Sequence, residues 1–143
     1  MFGFAFKKDT GDTRESAAID VAKHLLDEGA SLSIYDPKVS SEQIQRDINP
    51  GINGNINGHD ETRSFEVKKS PYEAANKAHA IVVCTEWDEF KDYDYSKIHE
   101  KMEKPAFIFD GRKILDHEKL MHIGFRVETV GKNLNNVNNH SSM

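Results

Sequence analysis

The first 35 residues alternate between strand-like and helix-like sequence, and this alternation constrains the fold more than any other feature of the chain. An apolar stretch at 2–6 (FGFAF) precedes a polar turn and then residues 14–28 (RESAAIDVAKHLLDE), whose apolar positions recur at helical spacing. Residues 31–35 (SLSIY) alternate as a strand and end at an Asp-Pro turn signal. The pattern predicts one β-α-β unit with parallel strands.

The turn between the first strand and the first helix carries a cluster of charged side chains. Lys7 and Lys8 open it, Arg14 closes it, and Asp12 or Thr13 is the predicted N-cap of the helix. A strand, a polar turn and a helix N-terminus in this order can hold an anion, to which lysine and arginine add positive charge. The same residues equally fit an ordinary strand-turn-helix with solvated charges, so both interpretations stay open at this point.

The alternation continues to residue 130 and predicts the fold class. Helices are predicted at 38–47, 71–77, 95–102 and 116–123, and strands at 65–68, 79–86, 106–109 and 125–130. Such alternation predicts an α/β fold, a Rossmann-like three-layer domain with a mainly parallel sheet and helices on both faces. The run at 79–86 (HAIVVCTE) is the most apolar and is the predicted central strand. Trp87, Phe90 and Tyr93 after it either cap the strand or pack on a partner.

Length, charge and composition limit the possible domain organisation, function and location. The 143 residues predict one domain at 1–132, with an Asn- and Gly-rich insertion at about 49–63 and a disordered polar tail at 133–143. A net charge of −5 argues against a general nucleic-acid binder, and no apolar run approaches the roughly 20 residues of a membrane helix. The single cysteine, Cys84, lies in the predicted central strand and is interpreted as a small packed hydrophobic residue. A lone cysteine favours a reducing compartment, and we expect a cytoplasmic location.

Charged residues follow three of the predicted strands, and ligands of open α/β sheets bind at that edge. Lys7, Arg14 and Arg112 could converge there on a phosphate-bearing ligand, or they could be three separate surface cations. Both standard nucleotide fingerprints, G-x-G-x-x-G and G-x-x-x-x-G-K-[ST], are missing from the sequence. Glu86 and Asp88 are interpreted as solvated or capping acids, and no metal-ligand spacing or catalytic triad is evident.

Several longer segments together resemble a known family. These are GFAFKKDTGDTRES from residue 3, IYDPKV at 34–39, PYEAANKAHAIVVCTEWDEF at 71–90, KPAFIFDGRKILD at 104–116 and IGFRVETVGK at 123–132. They resemble, in order and spacing, the C-terminal UDP-binding domain of the UDP-glucose/GDP-mannose dehydrogenase family, and most closely its eukaryotic UDP-glucose 6-dehydrogenase branch. The combination of K-x-x-T-x-D-x-R, C-T-E-W and F-D-G-R is more specific than any single piece.

The resemblance implies a function and a set of site residues. Enzymes of that branch oxidise UDP-glucose to UDP-glucuronate with two NAD, and the C-terminal domain holds the UDP part of the substrate. By resemblance, Phe6, Lys7 and Arg112 contact the substrate, and Arg14 reaches NAD that is bound mainly by the N-terminal domain. The implied partners are the remainder of the dehydrogenase and the other copies in a homo-oligomer of the full enzyme, with no nucleic acid and no membrane.

The sequence also departs from the family, because the catalytic cysteine motif, the catalytic lysine and the Rossmann glycines are missing. We therefore expect a part of an NAD-dependent dehydrogenase that clamps the substrate, has no catalytic residue of its own and is inactive alone. One alternative is a free-standing, non-catalytic module for nucleotide-sugar binding or oligomer assembly. Another is part of a dehydrogenase for a different nucleotide sugar.

Overall fold

The computed structural model describes residues 1–49 and 64–129. Within them the helices are α1 (Ala17–Asp27), α2 (Ser41–Ile48), α3 (Pro71–Ala75), α4 (Tyr95–Lys101) and α5 (His117–Ile123), and the strands are β1 (Ser31–Ile34), β2 (Ser64–Val67), β3 (Ala80–Val83), β4 (Phe107–Asp110) and β5 (Arg126–Glu128). The predicted insertion, apart from Asn49, and the predicted tail lie outside the described residues. The domain limits at 1–132 therefore stay a prediction.

The strands form one parallel arrangement with the N-terminal segment at its centre. β1 pairs in parallel with β2, and β4 pairs in parallel with both β3 and β5. Phe2 joins these two groups, because it forms parallel bridges to Tyr35 after β1 and to Val83 in β3. When the N-terminal segment is counted as the first strand, the order is 3-2-1-4-5-6, which is the order of doubly wound nucleotide-binding domains.

The helices fall into two packed groups. α1 packs on α2, whereas α4 packs on both α3 and α5. Right-handed crossovers between parallel strands place these groups on opposite faces of the sheet. The predicted α/β fold, with a parallel sheet and helices on both faces, is therefore confirmed. The sequence also predicts the start of α3 correctly, since Ser70 is the N-cap and Pro71 the first helical residue.

The predicted N-terminal strand at 2–6 is shorter than the sequence indicates. Gly3 has a φ of +95°, a left-handed conformation that turns the chain out of the strand. Beyond it, the backbone N–H groups of Phe4 and Ala5 donate to the Asp36 carboxylate instead of to a neighbouring strand. Of the predicted strand at 2–6, Phe2 is therefore the residue that forms bridges to the neighbouring strands.

The N-cap of α1 is Ser16, so the predictions of Asp12 and Thr13 are both wrong. The Ser16 hydroxyl accepts a hydrogen bond from an N–H of the first helical turn (3.2 Å) and donates to the Phe4 carbonyl oxygen (2.9 Å). Glu15 has a φ of +60°, which is incompatible with a helix that begins any earlier. Ser16 therefore both starts the helix and fastens it to the N-terminal segment.

The aromatic residues that follow β3 pack into the core of the domain. Phe90 is completely buried, and its ring centroid lies 5.6 Å from that of Phe2. Tyr93 lies edge-on to Phe2 at 5.9 Å, and Trp87 is buried as well. These residues therefore pack in or against the core, a role that is neither of the two predicted for them.

Gly3 lies closer to β3 than any other residue type could. A Cβ at this position would be 2.5 Å from the Cβ of Thr85 and 2.7 Å from its backbone nitrogen. Thr85 cannot yield, because its side chain is buried and its hydroxyl donates to the Ala5 carbonyl oxygen at 2.8 Å. The N-terminal segment and the end of β3 therefore depend on glycine for both conformation and space.

We predict that Gly3→Ala lowers the free energy of unfolding much more than Gly29→Ala does. Gly29 has a similar φ of +92°, but a Cβ there would meet nothing within 4 Å. Gly29→Ala should therefore cost only the left-handed conformation, about 1–2 kcal/mol. Gly3→Ala should cost about 1–3 kcal/mol more, through overpacking against Thr85. Urea denaturation followed by circular dichroism measures both, and equal losses would contradict the close contact.

Candidate functional site

A single buried carboxylate holds the N-terminal segment in place. Oδ2 of Asp36 accepts the N–H groups of Phe4 (2.8 Å) and Ala5 (3.0 Å) and the indole N–H of Trp87 (3.1 Å). Oδ1 accepts two further backbone N–H groups, from residues 38 and 39, at 2.8 and 3.0 Å. Asp36 thereby joins the N-terminal segment, the turn after β1 and the turn after β3.

The position of Asp36 bears on dinucleotide binding. In doubly wound dinucleotide-binding domains, an acidic residue about 20 residues beyond the glycine-rich turn binds a ribose hydroxyl. Asp36 follows β1, the second strand of the 3-2-1-4-5-6 order. Its two oxygens already accept five hydrogen bonds from the protein. Asp36 therefore has no free acceptor for a ribose hydroxyl, and the sequence carries no G-x-G-x-x-G turn.

Beyond Asp36 the chain emerges at the edge formed by the carboxyl ends of the strands. Phe6 is 45% exposed, an unusual value for a phenylalanine, and its N–H donates to the Asp12 carbonyl oxygen at 2.7 Å. This bond closes the turn that carries Lys7 and Lys8. The Lys8 ammonium lies 3.5 Å from the Asp88 carboxylate. Lys7 is exposed and forms no ion pair or hydrogen bond with the described residues.

Arg112 reaches the same edge from the turn after β4, and it is paired there. Its Nη2 lies 2.7 Å from Oε2 of Glu86, which follows β3. The arginine side chain is 38% exposed and the glutamate side chain 28%. The ion pair therefore joins the ends of two neighbouring strands at a position that solvent can reach.

The turn that carries Arg112 is held from below by a second buried carboxylate. Asp110 is fully buried; its Oδ1 accepts the Arg112 N–H (3.2 Å) and its Oδ2 accepts the Leu115 N–H (2.9 Å). Nε2 of His117 lies 2.8 Å from the same Oδ2. Gly111 permits the turn to lie against β3, because a Cβ there would be 3.1 Å from the carbonyl oxygen of Val83.

The Glu86 carboxylate experiences opposing effects. Burial raises its pKa, but the backbone N–H groups of Glu86 itself and of Lys8, together with the Arg112 guanidinium, outweigh burial and lower the pKa overall. The carboxylate is therefore ionised at neutral pH. Glu86 pairs with Arg112, and Asp88, two residues further on, pairs with Lys8, so the segment after β3 contacts both cationic turns of this edge.

Arg14 forms its ion pair within its own loop rather than with the segment after β3. Its side chain is 88% exposed and lies 2.8 Å from Oδ2 of Asp12. This hydrogen bond lowers the pKa of the Asp12 carboxyl to about 2. Ion pairs thus join the segment after β3 to the turn that carries Lys8 and to the turn that carries Arg112, whereas Arg14 pairs with Asp12, two residues away in its own loop.

Three residues, Asp36, Gly3 and Glu86, have roles in the structure that the sequence did not predict. Asp36 was interpreted only as half of a turn signal, although an acid after the second strand of a β-α-β unit is a recognisable position. Gly3 was interpreted as a small strand residue. Glu86 was interpreted as solvated or capping, and its pairing with Arg112 carries no local signal because 26 residues separate the two.

The remaining reactive side chains offer little chemistry. Burial raises the pKa of the Cys84 thiol to about 11, which keeps it protonated at neutral pH and agrees with a packing role. Across residues 1–49 and 64–129, no group of three or more His, Cys, Asp and Glu side chains is placed to hold a metal ion. The helices of these same ranges include none that is long and apolar enough to cross a membrane.

A surface groove lies away from this edge, between α3 and α4. It has a volume of about 440 Å³ and is lined by Tyr72, Glu73, Asn76, Lys97, Ile98 and Lys101. None of the residues that the sequence marked as site residues borders it. The groove is therefore a rival location for a ligand on the described part of the domain.

Comparison with protein families and curated proteins gives consistent matches. The model of the UDP binding domain of the UDP-glucose/GDP-mannose dehydrogenase family matches residues 1–117. The UDP-glucose 6-dehydrogenase of Mus musculus is 57% identical over 135 residues, which cover 92% of this chain and 27% of the mouse protein. The Drosophila melanogaster enzyme of the same name is 54% identical over 133 residues, covering 92% and 28%. The chain thus spans about a quarter of the length of these relatives.

Solved structures support the fold. A UDP-D-ManNAc dehydrogenase from Pyrococcus horikoshii superposes with a TM-score of 0.65 at 24% identity, over 90% of this chain and 24% of the other. An NDP-N-acetyl-D-galactosaminuronic acid dehydrogenase from Methanosarcina mazei gives a TM-score of 0.70 at 24% identity, over 91% and 23%. These similarities agree with the Rossmann-like architecture described above.

We predict that Asp36→Asn strongly destabilises the domain. An amide has one accepting oxygen, and its NH₂ group would face N–H donors that the carboxylate now satisfies. Because each unsatisfied buried donor costs about 1–3 kcal/mol, we expect a total loss of at least about 2 kcal/mol. Asp12→Asn, at an exposed turn, is the control and should cost much less. Chemical denaturation measures both, and similar losses would contradict the role of Asp36.

Proposed function

The chain belongs to the UDP-glucose/GDP-mannose dehydrogenase family as its UDP-binding domain, and on this basis we propose that it binds the UDP part of a UDP-sugar at the edge that carries Phe6, Lys7 and Arg112. The observation that carries the proposal is that two exposed cationic turns both form ion pairs with the segment after β3, Lys8 with Asp88 and Arg112 with Glu86, beside the switch point of the sheet. Ligands of doubly wound sheets bind outside the carboxyl ends of the strands at that point.

Each proposed contact has a distinct physical role. The exposed ring of Phe6 offers an apolar face to the nucleotide. Lys7, without an internal partner among the described residues, has its ammonium group available for a phosphate. Arg112 offers a planar guanidinium that suits bidentate phosphate binding, on a turn held by the buried Asp110.

The proposed substrate of the complete protein is UDP-glucose, oxidised to UDP-glucuronate. The curated relatives at 50–57% identity are named UDP-glucose 6-dehydrogenases. The matched structures named for other nucleotide sugars are only 22–24% identical. This difference favours UDP-glucose over another sugar.

The complete protein would use NAD, bound mainly outside this domain. Asp36 is saturated by hydrogen bonds from the domain itself, which supports a role for these residues in holding the substrate rather than the dinucleotide. Arg14, exposed and at the outer end of its turn, is the residue that we propose to reach NAD on the neighbouring domain. The remainder of the dehydrogenase and other copies of the full enzyme are the proposed protein partners, in the cytoplasm.

We predict that Lys7→Ala and Arg112→Ala each weaken UDP binding. Loss of a charged hydrogen bond costs about 1–3 kcal/mol, which corresponds to a roughly fivefold to hundredfold increase in Kd. NMR titration of the 143-residue chain with UDP and with UDP-glucose, at constant low salt, measures the effect. Low salt is needed because screening weakens exposed charge interactions.

Lys101→Ala is the matched control for that titration. It removes the same charge from the end of α4, whose backbone contacts residue 77 just before β3, at the opposite edge of the sheet. We expect its Kd for UDP to stay within about twofold of the original value. Equal weakening by all three substitutions would indicate a general field effect, and unchanged affinity in Lys7→Ala and Arg112→Ala would remove those residues from the site.

We also predict that the chain alone does not reduce NAD in the presence of UDP-glucose. Its single cysteine, Cys84, has a buried thiol whose pKa is raised to about 11, so no thiolate nucleophile exists at neutral pH. Absorbance of NADH during prolonged incubation is the measurement. Turnover that is abolished by Cys84→Ser would contradict the prediction.

A further inference from the structure

The cations at the ligand-binding edge are largely neutralised by carboxylates of the same domain. Arg112 pairs with Glu86, and Lys8 pairs with Asp88, which also contacts Lys91 at 3.4 Å. An anionic ligand that approaches Arg112 must therefore compete with a carboxylate already in contact with it. Ligand binding at Arg112 therefore depends on which of these ion pairs can be broken.

Three carboxylates at the carboxyl ends of the strands differ in how firmly they are held. Asp36 and Asp110 are buried, and each of their oxygens accepts at least one hydrogen bond from the domain. Glu86 is different, because only Oε2 is engaged, at 2.7 Å from Arg112. Its Oε1 is buried and has no hydrogen-bond partner among the described residues.

A buried carboxylate oxygen without a hydrogen-bond partner is unfavourable, because it has lost its hydrogen bonds to water and forms none with the protein. If the Glu86 side chain turned outward, Oε1 would regain water, at the cost of the hydrogen bond to Arg112 and of the electrostatic interaction with nearby backbone N–H groups. The glutamate side chain is already 28% exposed, so solvent lies close by. The Asp36 and Asp110 carboxylates have no comparable reason to move.

We propose that Glu86 is a displaceable internal counterion of Arg112, which an incoming diphosphate replaces on the guanidinium. The inference rests on the proposed function, since it names the regulation of the same site. In the absence of ligand, Glu86 holds the arginine in place and screens its charge. When UDP binds, the diphosphate takes the guanidinium and the Glu86 carboxylate turns to solvent.

The inference predicts whether a substitution at Glu86 weakens or strengthens ligand binding. Loss of a residue that contacts the ligand would weaken binding, whereas loss of a carboxylate that competes with the ligand should strengthen it. Glu86→Gln keeps the shape of the side chain and removes its charge. We expect UDP and inorganic pyrophosphate to bind about two- to fivefold more tightly to this variant, the range of an exposed ion pair. NMR titration of the full 143-residue chain measures both ligands.

Asp88→Asn is the matched control. It removes an equal charge from the same edge, but from a carboxylate that pairs with Lys8 and Lys91 rather than with Arg112. We expect a smaller gain in affinity than in Glu86→Gln. In addition, the gain of Glu86→Gln should disappear in an Arg112→Ala background. Equal gains in the two variants, or a gain that persists without Arg112, would overturn the inference.

A structure of the unsubstituted chain with UDP provides a second readout that does not depend on any variant. We expect the separation of Arg112 Nη2 and Glu86 Oε2 to increase from 2.7 Å to beyond hydrogen-bond distance. A complex in which UDP is bound and this ion pair persists would contradict displacement while leaving the proposed function intact. If UDP and pyrophosphate shift no resonance of any variant at millimolar concentration, both the inference and the proposed function are wrong.

Discussion

The hydrogen bonds accepted by the buried Asp36 carboxylate are the interactions on which the rest of the structure depends. The chain leaves the sheet at Gly3, and the N–H groups of Phe4 and Ala5 then have no strand to pair with. Asp36 satisfies both, and through Trp87 it fixes the turn after β3 to the same point. The central segment therefore stays inside the sheet although it forms strand bridges only at Phe2.

The hydrogen bonds to Asp36 also limit which groups of the domain are available to a ligand. A carboxylate whose oxygens are used for internal support is not available to a ribose, so the inner crevice loses the group that dinucleotide-binding domains use. The proposed ligand contacts lie further out, at Phe6, Lys7 and Arg112, on turns that Asp36 and Asp110 hold by hydrogen bonds. Rigid buried acids beneath and exposed cations above suit a domain that holds an anionic substrate for chemistry supplied elsewhere.

The sequence predicted the features that local pattern determines. The alternation of strands and helices, the start of α3 at Ser70 and Pro71, and the packing role of Cys84 follow from short-range spacing and residue type. The N-cap of α1 was missed because Glu15 adopts a left-handed conformation that no local pattern reveals.

The contacts that build the site are long-range, and this is why the sequence alone did not give them. Asp36 lies 32 residues from Phe4 and 51 from Trp87, and Glu86 lies 26 from Arg112. Composition identified the cations, and the family resemblance implied roles for them, but neither could show that Glu86 joins the segment after β3 to the turn after β4. Partner choice over such separations is decided by the packing of the whole sheet.

The most direct test of the account is a map of backbone amide shifts in the domain on addition of UDP. We expect the largest shifts at residues 6–8, 85–87 and 110–113, which form the edge at the carboxyl ends of the strands. Residues 72–76 and 97–101, around the groove between α3 and α4, should change little. Shifts concentrated at that groove, with the strand ends unaffected, would contradict the central claim.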